Sequence, residues 1–147
     1  MKNILIALLI ISGTVKGHSQ IWNNNIDEAV KEASKTNKKV LLFFSVSEQC
    51  DNCISLEKNV FKTEEFNVFA NTNYILVKID FSHKPADGLT EEMIEKNLLI
   101  VEKYNKDGFF PLVVLLNKNA RVLGKTGIYK QETPSQFINL LQSFDKA

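Results

Sequence analysis

Residues 40–53 run Val40-Leu41-Leu42-Phe43-Phe44-Ser45-Val46-Ser47-Glu48-Gln49-Cys50-Asp51-Asn52-Cys53, and this stretch decides the fold. Its first half is an almost continuous apolar run of strand length. A strand with one wet face alternates apolar and polar residues; one buried on both faces does not. The run therefore predicts a strand inside a parallel sheet covered by helices. The second half turns polar and ends in two cysteines separated by two residues. From Cys50 to Asn59 and just beyond, Cys53, Ile54, Leu56 and Val60 recur at near-helical spacing. The predicted unit is a buried strand, a short loop, and a helix whose first turn carries a cysteine pair.

The flanking sequence extends this pattern in both directions. Upstream, Ile26, Ala29, Val30 and Ala33 recur at spacings of three and four with Asp27 and Glu28 in the first turn, which predicts a helix over 26–36 with Asn25 as its N-cap. Downstream, Thr63-Glu64-Glu65 opens a short helix through Ala70 with Phe66 and Phe69 facing inward, and Tyr74 to Phe81 is a second buried strand. A polar loop, Ser82 to Leu89, leads to Thr90-Glu91-Glu92 and a helix carrying Met93, Ile94, Asn97, Leu98, Val101 and Tyr104. Asp107-Gly108 ends it. Phe110-Pro111 precedes a third strand, Leu112 to Leu116; a turn at Asn117–Ala120 and a short fourth strand, Arg121 to Lys125, complete a hairpin. Thr133-Pro134 starts a last helix with Phe137, Ile138, Leu140, Leu141 and Phe144 on its apolar face. This order predicts an α/β sandwich. Helical crossovers make the first two strands parallel with right-handed connections, and the hairpin adds antiparallel strands at one edge, so the sheet is mixed.

The 147 residues suit one domain, and residues 20–147 are expected to form it without repeat or linker. With 18 basic and 17 acidic side chains there is no concentrated positive charge to recruit nucleic acid. Ten Phe and 44% hydrophobic residues exclude intrinsic disorder. The first nineteen residues read as a secretory signal peptide. Lys2 begins it, Ile4 to Ile11 is an apolar run of eight residues, and Gly17-His18-Ser19 puts small residues at −3 and −1 of a cleavage point before Gln20. A spanning helix needs about 20 apolar residues, and no cysteine follows the run to take a lipid. Losing Lys2 and Lys16 leaves 16 basic against 17 acidic groups, near −1. The expected product is exported, periplasmic or secreted, with no stable membrane insertion after cleavage.

The chemistry is expected at Cys50-Asp51-Asn52-Cys53. Two cysteines so spaced at a helix start lie about one turn apart, close enough to bond. The first faces unsatisfied amide N–H groups and the positive end of the helix dipole, which favours its thiolate, the nucleophilic form. Cys50 then attacks a substrate disulfide, and Cys53, deeper and less exposed, resolves the mixed disulfide. Other uses of the pair fare worse. Structural zinc needs four ligands, and the mature chain offers two cysteines and a distant His83. Covalent haem needs His after the second cysteine, where Ile54 stands. A purely structural bridge closing so short a loop contributes only about 2 kcal/mol in the chain-entropy model, though a non-catalytic binding module with a closed disulfide stays in play. No cofactor and no metal are expected.

In this order of elements the chain resembles thioredoxin-fold proteins over roughly residues 22–144. More narrowly it is similar to exported thioredoxin-like proteins and to the C-terminal domain of the transmembrane thiol:disulfide interchange reductase. The matching pieces are Trp22 and the helix with Ala29; Lys38-Lys39-Val40-Leu41-Leu42-Phe43-Phe44 before the cysteine pair; Val60-Phe61 ahead of Thr63-Glu64-Glu65; Val77-Lys78-Ile79-Asp80; and Tyr104, Phe110-Pro111-Leu112 and Gly127. The resemblance implies a thioredoxin-like fold with an N-terminal helix and a cis Pro111 whose loop packs against the cysteines. It also implies substrate pairing with the backbone at Phe110. From the residues alone, a trans proline starting a strand is an equal alternative.

Three departures bear on mechanism. Asp51-Asn52 replaces Gly-Pro between the cysteines, Gln49 stands where an aromatic residue usually precedes them, and Phe44 takes the place of the family's buried proton-accepting carboxylate. Glu48 and Asp51 are the remaining candidates for a proton relay through water. Their negative charge beside Cys50 opposes the helix dipole, which favours the reducing end of the family, nearer roughly −270 mV than −120 mV. The expected function is a disulfide reductase or isomerase. It acts on disulfide-containing exported proteins, is served by an upstream thiol electron donor, and is expected to be a monomer. His83 reads as a solvated loop residue and Asp80 as a cap or hydrogen-bond acceptor at a strand end. Phe109-Phe110 is either core or the rim of a substrate groove.

Overall fold

The computed structural model describes residues 20–46, 49–81 and 90–146. Residues 1–19, expected to be a signal peptide, together with Glu48 and the loop with His83, lie outside them. Along the chain come β1 (Trp22–Asn23), α1 (Ile26–Thr36), β2 (Lys39–Ser45), α2 (Asp51–Leu56) continued by a π-helical turn (Glu57–Phe61), α3 (Glu64–Asn73), β3 (Tyr74–Asp80), α4 (Glu91–Tyr104), β4 (Leu112–Leu116), β5 (Val122–Thr126), α5 (Pro134–Ser143) and a final 3₁₀ turn (Phe144–Lys146). The strands form one mixed sheet in the order β1-β3-β2-β4-β5. β1 and β2 flank β3 in parallel, β4 runs antiparallel to β2, and β5 closes the hairpin at the edge.

The central strand behaves as its sequence demands. Successive side chains of a strand point to opposite faces. Leu41 and Phe43 enter one core with Cys53, Leu56, Val60, Phe61, Phe66 and Phe137, whereas Val40, Leu42 and Phe44 enter a second core with Ala29, Ala33, Ile100 and Tyr104. Helices α2, α3 and α5 thus cover one face and α1 and α4 the other. Phe44 is fully buried on the face away from Cys53.

Helix ends follow local chemistry. The Asn25 side chain accepts the Asp27 and Glu28 N–H groups, and Asn37 stops α1 in the left-handed region at φ 54°. Thr63 and Thr90 cap α3 and α4, and Thr133 with Gln136 forms a reciprocal capping box ahead of Pro134. α3 outlasts its expected end at Ala70 and runs to Asn73, where the chain passes directly into β3. Phe61, at the end of the π turn, packs its ring against Trp22, Phe43, Phe66 and Phe137 at centroid distances of 5.0–5.7 Å. At Gly124 on β5 there is no room for a side chain, because the ring of Phe144 occupies the space a Cβ would take.

Candidate active site

β2 delivers the chain to the top of the sheet, and Cys50 becomes the N-cap of α2 in an extended conformation (φ −124°, ψ 93°). Its Sγ accepts the backbone N–H of Cys53 at 3.1 Å, and its carbonyl accepts the N–H of Ile54 at 3.0 Å. A sulfur thus takes the place usually held by a capping oxygen. The two cysteines form a disulfide with Cα atoms 5.2 Å apart. Cys50 is half-buried, whereas Cys53 is 1% exposed in the core beneath it. One sulfur can meet another polypeptide, and its partner is shielded. That is the difference in exposure expected from the sequence.

Above Cys50 lies a shallow depression of about 630 Å³ lined by Val46, Gln49, Cys50, Asp51, Asn52 and Phe110. The Phe110–Pro111 peptide bond is cis, and Pro111 is buried immediately before β4. Cys50, Cys53, Phe110 and Asp51 are therefore brought together, with Asp51 exposed as the first residue of α2. Glu48 lies outside the described residues. The Phe109-Phe110 pair divides: Phe109 is 60% exposed, and Phe110 packs against both cores and against Phe81 at 6.0 Å.

Two features escaped the sequence reading. Asn105, 2% exposed, clamps the loop that leads to the cis bond: its Nδ2 donates to the Phe109 carbonyl and its Oδ1 accepts the Phe109 N–H, both at 2.9 Å. A turn-forming residue after the helical pattern of 90–104 was the available signal. The second is Glu57, one helical turn after Cys53. Its carboxylate meets Lys78 Nζ at 2.9 Å and Lys62 Nζ at 3.3 Å, and Lys78 also lies 3.6 Å from Asp80 and 5.8 Å from the centre of the Phe43 ring. Burial pushes the Glu57 carboxyl up, but hydrogen bonds and charge from Lys78 and Lys62 outweigh it and hold the group below the usual carboxylate range. The i, i+4 spacing from Cys53 was visible, but its lysine partner sits on a strand 21 residues away. Among the described residues no group of three or more His, Cys, Asp or Glu could hold a metal ion, and no helix is long and apolar enough to cross a membrane.

A strand–cysteine pair–helix unit facing a cis-proline loop, on a sheet of this order, defines a thioredoxin-type dithiol site. A family model described as a thioredoxin-like domain matches residues 26–142, and the chain belongs to that family. It is 29% identical over 103 residues to the disulfide bond reductase DsbH of Chlamydia pneumoniae, spanning 68% of this chain and 58% of that protein. It is 25% identical over 118 residues to the thioredoxin-related protein DsbJ of the same organism, spanning 80% of this chain and 33% of that one. The chain thus covers little more than half of one curated relative and a third of the other. A solved DsbH oxidoreductase superposes with a TM-score of 0.80 at 25% identity, covering 95% of this chain and 94% of that one. The oxidised C-terminal domain of DsbD from Neisseria meningitidis shares the fold, with a TM-score of 0.56 at 14% identity over 85% of this chain and 98% of that one.

Proposed function

We propose that this chain is a thiol:disulfide oxidoreductase that reduces or isomerises disulfides in exported proteins, made with residues 1–19 as a signal peptide and 20–147 as the working domain. The observation that carries the reading is the asymmetry of the pair: a half-exposed Cys50 that caps α2 and shares a depression with Phe110 of the cis dipeptide, and a buried Cys53. In the reduced protein, the Cys50 thiolate, stabilised by the Cys53 N–H, attacks one sulfur of a substrate disulfide and expels the other as a thiolate. Cys53 loses its proton and attacks Cys50 Sγ, releasing the second substrate sulfur and closing the Cys50–Cys53 bridge. Two electrons pass to the substrate, and the two sulfurs it releases take up protons. An upstream thiol donor reopens the bridge. The backbone at Phe110 and Pro111 pairs with the extended substrate segment. With Phe44 in place of the family's carboxylate, Asp51 and Glu48 carry protons to and from the site through water. Partial similarity to a disulfide bond reductase supports the reducing direction.

Reduction of insulin by a dithiol, followed by turbidity, tests this. Catalysed precipitation by the wild type, together with a mixed disulfide trapped at Cys50 in Cys53→Ser, is the expected result. A folded protein inert in both assays would identify a binding module with a structural bridge. The reduction potential is expected nearer roughly −270 mV than −120 mV, and a value above about −150 mV would contradict the reducing role.

A further inference from the structure

Bordered by Phe109 and Leu112, on either side of the cis dipeptide, a second groove of about 590 Å³ runs between the end of α4 and the end of β5. It reaches the proline itself: a Cβ on Gly127, in its floor, would lie 3.9 Å from the Pro111 carbonyl and 3.7 Å from the Leu112 side chain. Phe109 and Ile128 stand in it 60% and 71% exposed. Large apolar side chains kept in water beside a reactive site mark a surface that another molecule covers. Four lysines, Lys103, Lys106, Lys125 and Lys130, share the lining with a single acid, Asp107.

None of the four lysines joins an ion pair among the described residues. Lys125 Nζ donates to the Tyr104 carbonyl at 2.6 Å and Lys103 Nζ lies 5.0 Å from the centre of the Tyr104 ring; neither contact neutralises charge. The neighbouring Glu132 carboxylate accepts the backbone N–H of Lys130 at 2.8 Å. In a chain with 18 basic and 17 acidic residues this excess is local. Clustered unpaired charge on a groove raises the local concentration of oppositely charged segments and discriminates against like-charged ones.

We propose that this groove selects the substrate: it accepts a polypeptide segment in which acidic residues alternate with apolar ones, continuing from the cysteine that meets Cys50. The proposal rests on the oxidoreductase reading above. Asp51 beside Cys50 disfavours negative charge at the reacting cysteine itself, so the acidic residues belong several positions further along, past Phe110 and Pro111.

Two disulfide-linked peptides with identical cysteines and apolar residues, one with glutamates and one with lysines in that distal part, test this on the full mature chain. Each rate is divided by that of uncatalysed reduction by a small dithiol, which removes the peptide's own charge effect. The acidic peptide is expected to show a kcat/KM on the order of tenfold higher, carried by KM, with the difference falling toward unity at high salt. In Lys106→Glu/Lys130→Glu the preference reverses. Serine-for-cysteine versions of the peptides, followed by fluorescence anisotropy, read the groove whether or not electrons move. Equal binding, or tighter binding of the lysine peptide, overturns the proposal. An uncharged small disulfide left unreduced while the acidic peptide still binds would instead overturn the oxidoreductase reading and leave the groove standing.

Discussion

Asn105 shows how one buried amide governs a reactive loop. Its side chain makes both of its hydrogen bonds to Phe109, the residue before the cis dipeptide. Asn105→Ala removes both and is expected to cost roughly 1–2 kcal/mol in urea unfolding. It should also raise KM for a peptide disulfide more than it lowers kcat, because the loop proposed to pair with substrate loses its anchor. A change in stability with no change in KM would show that the clamp serves folding alone. Gly124 is a simpler case, a matter of space. Alanine there drives a methyl into the Phe144 ring, and the overpacking is expected to cost roughly 1–3 kcal/mol by denaturant midpoint.

At the scale of elements, legibility tracked how local the cause was. Helix α1 matches its expected bounds because its caps and its apolar spacing lie within a dozen residues. β2 was legible for a similar reason, since burial on both faces leaves its mark in one short run. β5 lies one residue beyond its expected place, where the pairing with β4 shifts register between Leu115 and Leu116. β1 was missed: two residues carry no strand pattern, and Trp22–Asn23 is extended because it pairs with Leu76 and Val77 and Trp22 packs on Phe43 and Phe61. The π turn was missed as well. Cys53, Leu56 and Val60 fit an ordinary helix, and only the burial of both Val60 and Phe61 reveals the wider turn. At the site, the cysteine pair was legible from the chain, and the cis proline through family resemblance alone. The Asn105 clamp and the Lys78 partner of Glu57 depend on tertiary approach. Phe61→Ala, which empties the contact point of β1, β2, α3 and α5, is expected to cost about 3–5 kcal/mol, measured by urea unfolding. A cost below about 1 kcal/mol would mean the cluster is not cooperative.

Across the molecule, the two cores are separated by the sheet, and charge enters the side that holds Cys53 at Glu57 and Lys78. Because the folded Glu57 carboxyl titrates below its ordinary value, the ion pair's contribution is complete above the unfolded pKa, near 4.5, and is lost as pH falls through the lower folded value. Glu57→Gln is therefore expected to cost roughly 1 kcal/mol near neutrality and progressively less below about pH 4.5. A deficit that persists unchanged to pH 3 would assign the effect to packing. Trp22 is the sole indole of the chain. Because its ring leans on Phe43 and Phe61, beside the core that holds Cys53, the protein carries an optical gauge of its cysteine-bearing face. Its ultraviolet emission is expected to follow that half of the interior without any added dye.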